Sequence, residues 1–249
     1  MKTSTSVLAL ATLASALPSR VNKRACDAAV KLSGSENVFK SYTLHANSFY
    51  KAEVEAAVEN LSDKSLATAA AKVGDVGSFL WLDTIANIEK LKTELATDIP
   101  CDHVLGLVIY DLPGRDCAAK ASNGELKVGE VSKYKSEYID VIAGILKENP
   151  NQAFALIIEP DSLPNLVTNI DEQACKDSAA GYEEGVAYAL KTLNLPNVVM
   201  YVDAGHGGWL GWNDNLKPGA QGLAKVYKAA GSPSQVRGIS TNIAGWNSL

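Results

Sequence analysis

Leu156-Ile157-Ile158-Glu159-Pro160-Asp161 is the stretch that decides the fold: an apolar, β-branched run that drives straight into acid. Three others do the same, Leu107-Val108-Ile109-Tyr110-Asp111, Val199-Met200-Tyr201-Val202-Asp203 and Phe79-Leu80-Trp81-Leu82-Asp83. Continuous apolar runs of this length predict strands buried on both faces, as in a parallel sheet. An acid at the C-terminal end of each gathers the carboxylates on one rim, where barrel-type α/β enzymes carry their chemistry.

Working outward, strands are predicted at residues 78–82, 104–112, 153–159, 198–203 and 236–241. Helices are predicted between them at 53–76, 85–96, 131–147, 179–193 and 220–229. In 131–147 the apolar residues Val131, Tyr134, Tyr138, Val141, Ile142 and Ile145 recur close to every 3.6 positions. Such alternation argues for an α/β fold with right-handed crossovers. A closed barrel needs more than five strands, so the sheet is either open or an incomplete barrel.

At 249 residues and 47% hydrophobic composition, the chain can bury the core of one large α/β domain. Neither an internal repeat nor a linker divides it, so one domain and no separate binding module are expected. Residues 1–24 are expected to lie outside that domain. Lys2, the apolar residues 7–13 and the triplet Ala14-Ser15-Ala16 form a secretory signal pattern too short to span a membrane. Lys23-Arg24 then reads as a dibasic processing site, with Ala25 as the mature N-terminus and an extracellular protein as the product.

Removing 1–24 takes away four basic residues and no acids, leaving 19 basic against 28 acidic side chains, a net of −9. That charge excludes the basic footprint of a nucleic-acid or anionic-membrane binder and suits a soluble monomer with a neutral ligand. Cys26, Cys101, Cys117 and Cys175 are even in number and, with export, are expected to pair; three connectivities are open. Asn60-Leu61-Ser62 is an N-glycosylation sequon consistent with export.

The second predicted strand runs into a Pro/Gly loop bearing Tyr110, Asp111, Arg115 and Asp116, followed by Ser122-Asn123-Gly124-Glu125. The third delivers Glu159 and Asp161, the fourth Asp203 and His206 in a Gly-rich loop. Each has a plainer role: Asp161 before Ser162 as a helix cap, Asp203 as an acceptor for loop amides, Arg115 and Asp116 as a surface pair. Several acids on one rim repel one another, which a fold tolerates mainly where shifted pKa values are useful. Trp81, Trp209, Trp212 and Trp246 lie at or after strand ends, and an indole is an apolar plate suited to a sugar face. Acids and tryptophans on one rim point to a glycosidase cleft.

The segments YDLPGRDCAA (110–119), IEPDSLPNLVTN (158–169) and DAGHGGWLGW (203–212) resemble glycoside hydrolase family 6, the fungal cellobiohydrolase II and endoglucanase family. FLWLDT (79–84), LNLPNV (193–198) and STNIAGWN (240–247) match in order, and the resemblance covers 46–249. It implies a distorted, TIM-like parallel β/α barrel, here incomplete, with about five of seven strands. It implies inverting hydrolysis of β-1,4-glucan without a cofactor or metal, cellobiose release ahead of endo action, and cellulose or cello-oligosaccharide as the partner.

By motif, Asp161 resembles the general acid and Asp116 the partner whose charge raises that acid's pKa. Tyr110 would crowd the sugar at the cleavage point, and Arg115 would interact with the carboxylate pair. Trp81 and Asp83 resemble the subsite on the non-reducing side of the cut. Asp203, His206, Trp209 and Trp212 resemble the leaving-group side, Ser122 lies in a loop over the centre, and Asn242 in the last motif is a further sugar contact. The resemblance also implies a Cys117–Cys175 disulfide, which leaves Cys26 to Cys101.

Two departures stand out. Gly114 replaces an acid common in this loop, and family domains continue past the equivalent of Leu249. The catalytic base is therefore expected outside this sequence, and the chain alone is expected to turn over swollen cellulose slowly. The rival from another class is a cellulose- or oligosaccharide-binding product without turnover. A serine esterase fits poorly, since Gly205-His206-Gly207-Gly208 has no Gly-x-Ser-x-Gly partner. His45, His103 and His206 lack metal-ligand spacing.

Overall fold

The apolar runs become six parallel strands in the computed structural model, which describes residues 26, 28–119 and 121–243. They are β1 (Thr43–Leu44), β2 (Phe79–Leu82), β3 (His103–Ile109), β4 (Ala153–Ile158), β5 (Val198–Asp203) and β6 (Val236–Ser240). β3, β4, β5 and β6 follow one another across the sheet. Both β1 and β2 pair with β3, Thr43 opposite His103 and Phe79 opposite Gly106, so they share its remaining edge end to end. The sheet is thus five strands wide, as expected, with the short β1 added. β1 has only two residues and no apolar pattern of its own. It is held by backbone bonds from Thr43 N to Asp102 O (2.9 Å) and His45 N to Val104 O (3.0 Å).

Five helices of eight or more residues connect the strands: α1 (Ser48–Glu59), α2 (Ile88–Leu95), α3 (Asp140–Glu148), α4 (Gln173–Thr192) and α5 (Asn213–Ala229). Four predicted helical spans are corrected. The helix expected at 53–76 starts earlier, because the Asn47 side chain accepts from Tyr50 N, and it ends at Asn60. Asp63 then accepts from Ser65 N and begins a run of short turns. The helix expected at 131–147 contains a π-helical segment, Tyr134–Ile139. α4 and α5 each begin several residues before their predicted starts, α5 with Pro218 inside it.

The central strands are buried on both faces, while the edge strand β6 is not. Leu105, Leu107 and Ile109 from β3, Phe154, Leu156 and Ile158 from β4 and Met200 from β5 pack in one core with Leu91, Tyr138, Ile142, Val186 and Leu190 of the helical layer. The alternate residues Val104, Ala153, Ala155 and Val199 form a second cluster, and Val108, Tyr110 and Ile157 a third, towards the strand ends. Every residue of β4 is buried, which explains its unbroken apolar sequence. Disulfides join Cys26 to Cys101 and Cys117 to Cys175, the pairing expected from the resemblance.

Tyr138 ties this core to the rim. Its hydroxyl accepts from Tyr110 N at 2.9 Å and donates to Leu82 O, bridging the ends of β2 and β3. Tyr138→Phe removes both of these bonds and leaves only the 3.3 Å bond from Tyr110 N to Leu82 O, so it is expected to cost about 0.5–1.5 kcal/mol. Urea unfolding measures this, and an unchanged midpoint would rule it out.

Candidate active site

Because all strands run parallel, the acids that follow β2, β3, β4 and β5 emerge on one rim. β3 and β4 stop short of their predicted ends, since the chain leaves the ladder to carry those acids. Asp116 (φ 55°), Glu159 (φ 49°) and Asp161 (φ 59°) all adopt left-handed backbone, which a non-glycine residue enters at a cost. Such outliers cluster where neighbouring structure enforces them, commonly at functional sites.

Asp116 and Arg115 are 3% and 8% exposed, so they are not a surface pair. The Tyr110 hydroxyl donates to Asp116 Oδ2. Burial, then that bond and the charge of Asp116, push the Tyr110 phenol well above its ordinary value. The Arg115 guanidinium lies over the Tyr110 ring, 4.1 Å from its centroid. It donates to Tyr110 O (2.6 Å), Asp83 O (2.8 Å) and Ser122 O (3.0 Å). Its closest carboxylate is Asp111, at 4.0 Å. The implied bond to the Asp116–Asp161 pair is absent from these contacts; Arg115 instead fastens the 122–129 loop and the end of β2 to the Tyr110 strand end.

Asp161 is raised to about 6 by burial first and by the charge of Asp116 second, with His206 acting in the opposite direction. Its side chain caps no helix. Its amide donates to Asp203 Oδ2 at 3.0 Å, and Asn165 Nδ2 donates to its carbonyl at 2.5 Å. Asp203 also accepts from Gly205 N at 3.1 Å, so the plainer loop-amide role is present. Burial nonetheless raises Asp203 to about 7.

The aromatic residues flank these acids. Trp81 meets the Tyr110 ring edge-on at 5.2 Å between centroids, and with Asp83 and Asn242 it lines a cleft of about 440 Å³ floored by Val108 and Ile157. Across the rim, the His206 and Trp209 rings lie 5.8 Å apart, and Trp209 Nε1 donates to Thr168 Oγ1 at 2.5 Å. Trp212 donates to Gly208 O at 2.9 Å and leaves 66% of its surface exposed, open to a ligand. Trp246 and the expected leader 1–24 lie outside the described residues.

Sequence reasoning missed the layer beneath. Glu159 is buried and accepts from Tyr134 Oη (2.8 Å), Asp111 N (3.2 Å) and Leu112 N (3.3 Å). It therefore ties the strand end bearing Asp161 to the loop bearing Asp116. Asp111 is fully buried with neither carboxylate oxygen hydrogen bonded. The only sequence signal was the acid at the end of each apolar run.

Residues 39–249 match the family model described as glycosyl hydrolases family 6. A "1,4-beta-D-glucan cellobiohydrolase CEL6C" of Podospora anserina is 66% identical over 99% of this chain and 64% of that protein. The catalytic core of the cellobiohydrolase Cel6A from Chaetomium thermophilum superposes with a TM-score of 0.79 at 43% identity, over 85% of this chain and 61% of that one. Endoglucanase CEL6B from Humicola insolens does so at 0.76 and 32%, over 85% and 64%. The chain therefore spans less than two thirds of the length of each.

Proposed function

The chain belongs to glycosyl hydrolases family 6, and from that premise we propose that it serves the inverting hydrolysis of β-1,4-glucosidic bonds in cellulose outside the cell, releasing cellobiose. Residues 25–249 would form a catalytic domain segment, exported by way of 1–24. The observation that carries this reading is Asp161, raised to about 6 beside Asp116 on a rim flanked by tryptophans. Identity of 66% to a protein named cellobiohydrolase supports cellobiose release.

In the mechanism, sugar rings lie against Trp81 on one side of Asp161 and against Trp209 and Trp212 on the other. Asp161, carrying a proton at mildly acidic pH, gives it to the departing glycosidic oxygen. Burial first, and then the charge of Asp116, keep that proton on Asp161, and Tyr110 fixes the orientation of Asp116. Inversion places the attacking water on the opposite face of the ring, where a carboxylate or relay accepts its proton. The described residues supply the acid side of this chemistry and the sugar plates.

Incubating the chain with cellotetraose tests this, with products followed by proton NMR. The reducing end newly formed at the cut should appear first as the α anomer, above its equilibrium share. The β anomer appearing first would overturn inversion, and oligosaccharide binding with no product would favour the binding-only reading. Trp212→Ala should weaken cellotetraose binding about 5- to 100-fold, on the scale of one lost aromatic contact, without shifting the unfolding midpoint.

A further inference from the structure

At the opposite end of the strands from the acids, the N-terminal stretch is pinned by a cluster the proposed chemistry does not use. His45, just after β1, places Nε2 3.0 Å from Glu94 Oε1 and Nδ1 3.2 Å from His103 Nδ1. Glu94, on α2, is fully buried and also accepts the Ser48 hydroxyl (2.6 Å) and, at 3.1 Å to each oxygen, the Ser48 amide that opens α1. Burial opposes the charge of Glu94, but the hydrogen bonds from His45 and Ser48 outweigh it and hold the carboxyl below its ordinary value. One cluster thus joins β1, α1, α2 and β3.

The proton arithmetic is restrictive. With Glu94 ionised, His45 donates through Nε2. If His45 is neutral its Nδ1 is bare, and His103 donates to it. If His45 is charged, its Nδ1 donates to a bare His103 Nδ1. Both states keep the contact. A second charge turns both Nδ1 atoms into donors facing each other, and no hydrogen bond survives.

We propose that His45 and His103 form a one-proton latch, closed with at most one positive charge on the pair and opened by the second, which frees the start of α1 from β3. Among the described residues, Glu94 is the charged group turned to the pair. On α1, Lys51 pairs with Asp75 and Glu53 lines the Trp81 cleft. On α2, Glu89 pairs with Lys92 and Lys90 lines that same cleft. Beside β3, Asp102 is exposed, and before β4 the neutral Gln152 donates to His103 O at 3.1 Å. Because Asn47, Phe49 and Tyr50 also line the Trp81 cleft, an open latch loosens that wall. The device therefore couples acidity to the shape of the cleft without touching Asp161.

Hydrogen–deuterium exchange on the whole chain tests the latch. Protection of the His45 and Ser48 amides, normalised to β4 amides, should fall at least ~10-fold between pH 7 and about pH 4.5, well below the ordinary imidazole value of about 6.5. His103→Asn keeps a neutral polar partner that cannot charge, and should abolish that fall. Equal normalised protection at both pH values in the parent overturns the proposal. So does an undiminished fall in His103→Asn. If His103→Asn does not fold, the parent is compared with His45→Gln, to which the same criteria apply.

Discussion

Asp161→Asn is expected to lower hydrolysis of cellotetraose by about 10²- to 10⁴-fold relative to the parent chain, the usual worth of general acid catalysis. The amide keeps the size of the side chain and tolerates the left-handed backbone at this position (φ 59°), so the loss should be chemical. Dependence on the leaving group separates an acid from a positioning group. An activated aryl cellobioside, whose phenolate leaves without a proton, should lose far less rate than cellotetraose. Equal losses on both substrates would show that Asp161 acts in some other way. The pH profile gives a second reading. Activity that needs protonated Asp161 should fall as pH rises through about 6. Removing the neighbouring charge in Asp116→Asn should move that limb to lower pH, since burial alone then holds the proton. A limb that stays in place would separate Asp116 from any tuning role.

The second large effect concerns stability. Asp111 is pushed up to about 8 by burial and then by Glu159 and Glu125; Glu159 is pushed up to about 8 by burial, against hydrogen bonds that favour its charge. In the unfolded chain these groups titrate near 3.9 and 4.3. Raised folded values mean that the native state holds protons the unfolded state releases. Their contribution is complete below about pH 4 and is lost as pH rises through about 8. Between pH 5 and pH 9 these two groups should cost the chain on the order of 8 kcal/mol, about 4 kcal/mol from each, a fall of roughly 20 °C in the thermal midpoint. Asp203, raised to about 7, and Asp161, raised to about 6, add to the slope in the same direction, so Asp111→Asn should flatten it by about a third, whatever its effect at a single pH. Thermal melts by circular dichroism at several pH values decide this. A slope that Asp111→Asn leaves unaltered would refute the assignment.

Much of this was legible in the chain, for a physical reason. A strand buried on both faces has little choice of residue, so β4 was read at 153–159, one residue past its observed end at Ile158, and the acid there marked the rim. β1 could not be seen this way, because two residues have no period and are defined by the edge of β3 they meet. The two disulfides followed from the resemblance, while the cysteine count alone left three pairings open. Arg115 was found, but its partners are carbonyl oxygens, which every residue carries and no sequence distinguishes. The role of Glu159 depends on Tyr134, brought over it by a helical segment whose register had first to be folded. Side chains that answer to the sheet can be read locally; those that answer to one another across elements cannot.

The left-handed backbone at Asp116 and Asp161 also has an evolutionary consequence. Asparagine and glycine tolerate that conformation as well as or better than aspartate does, and each is one nucleotide away from an aspartate codon. A gene copy released from selection can therefore lose the proton donor proposed above in a single nucleotide step, with no added backbone strain at that position.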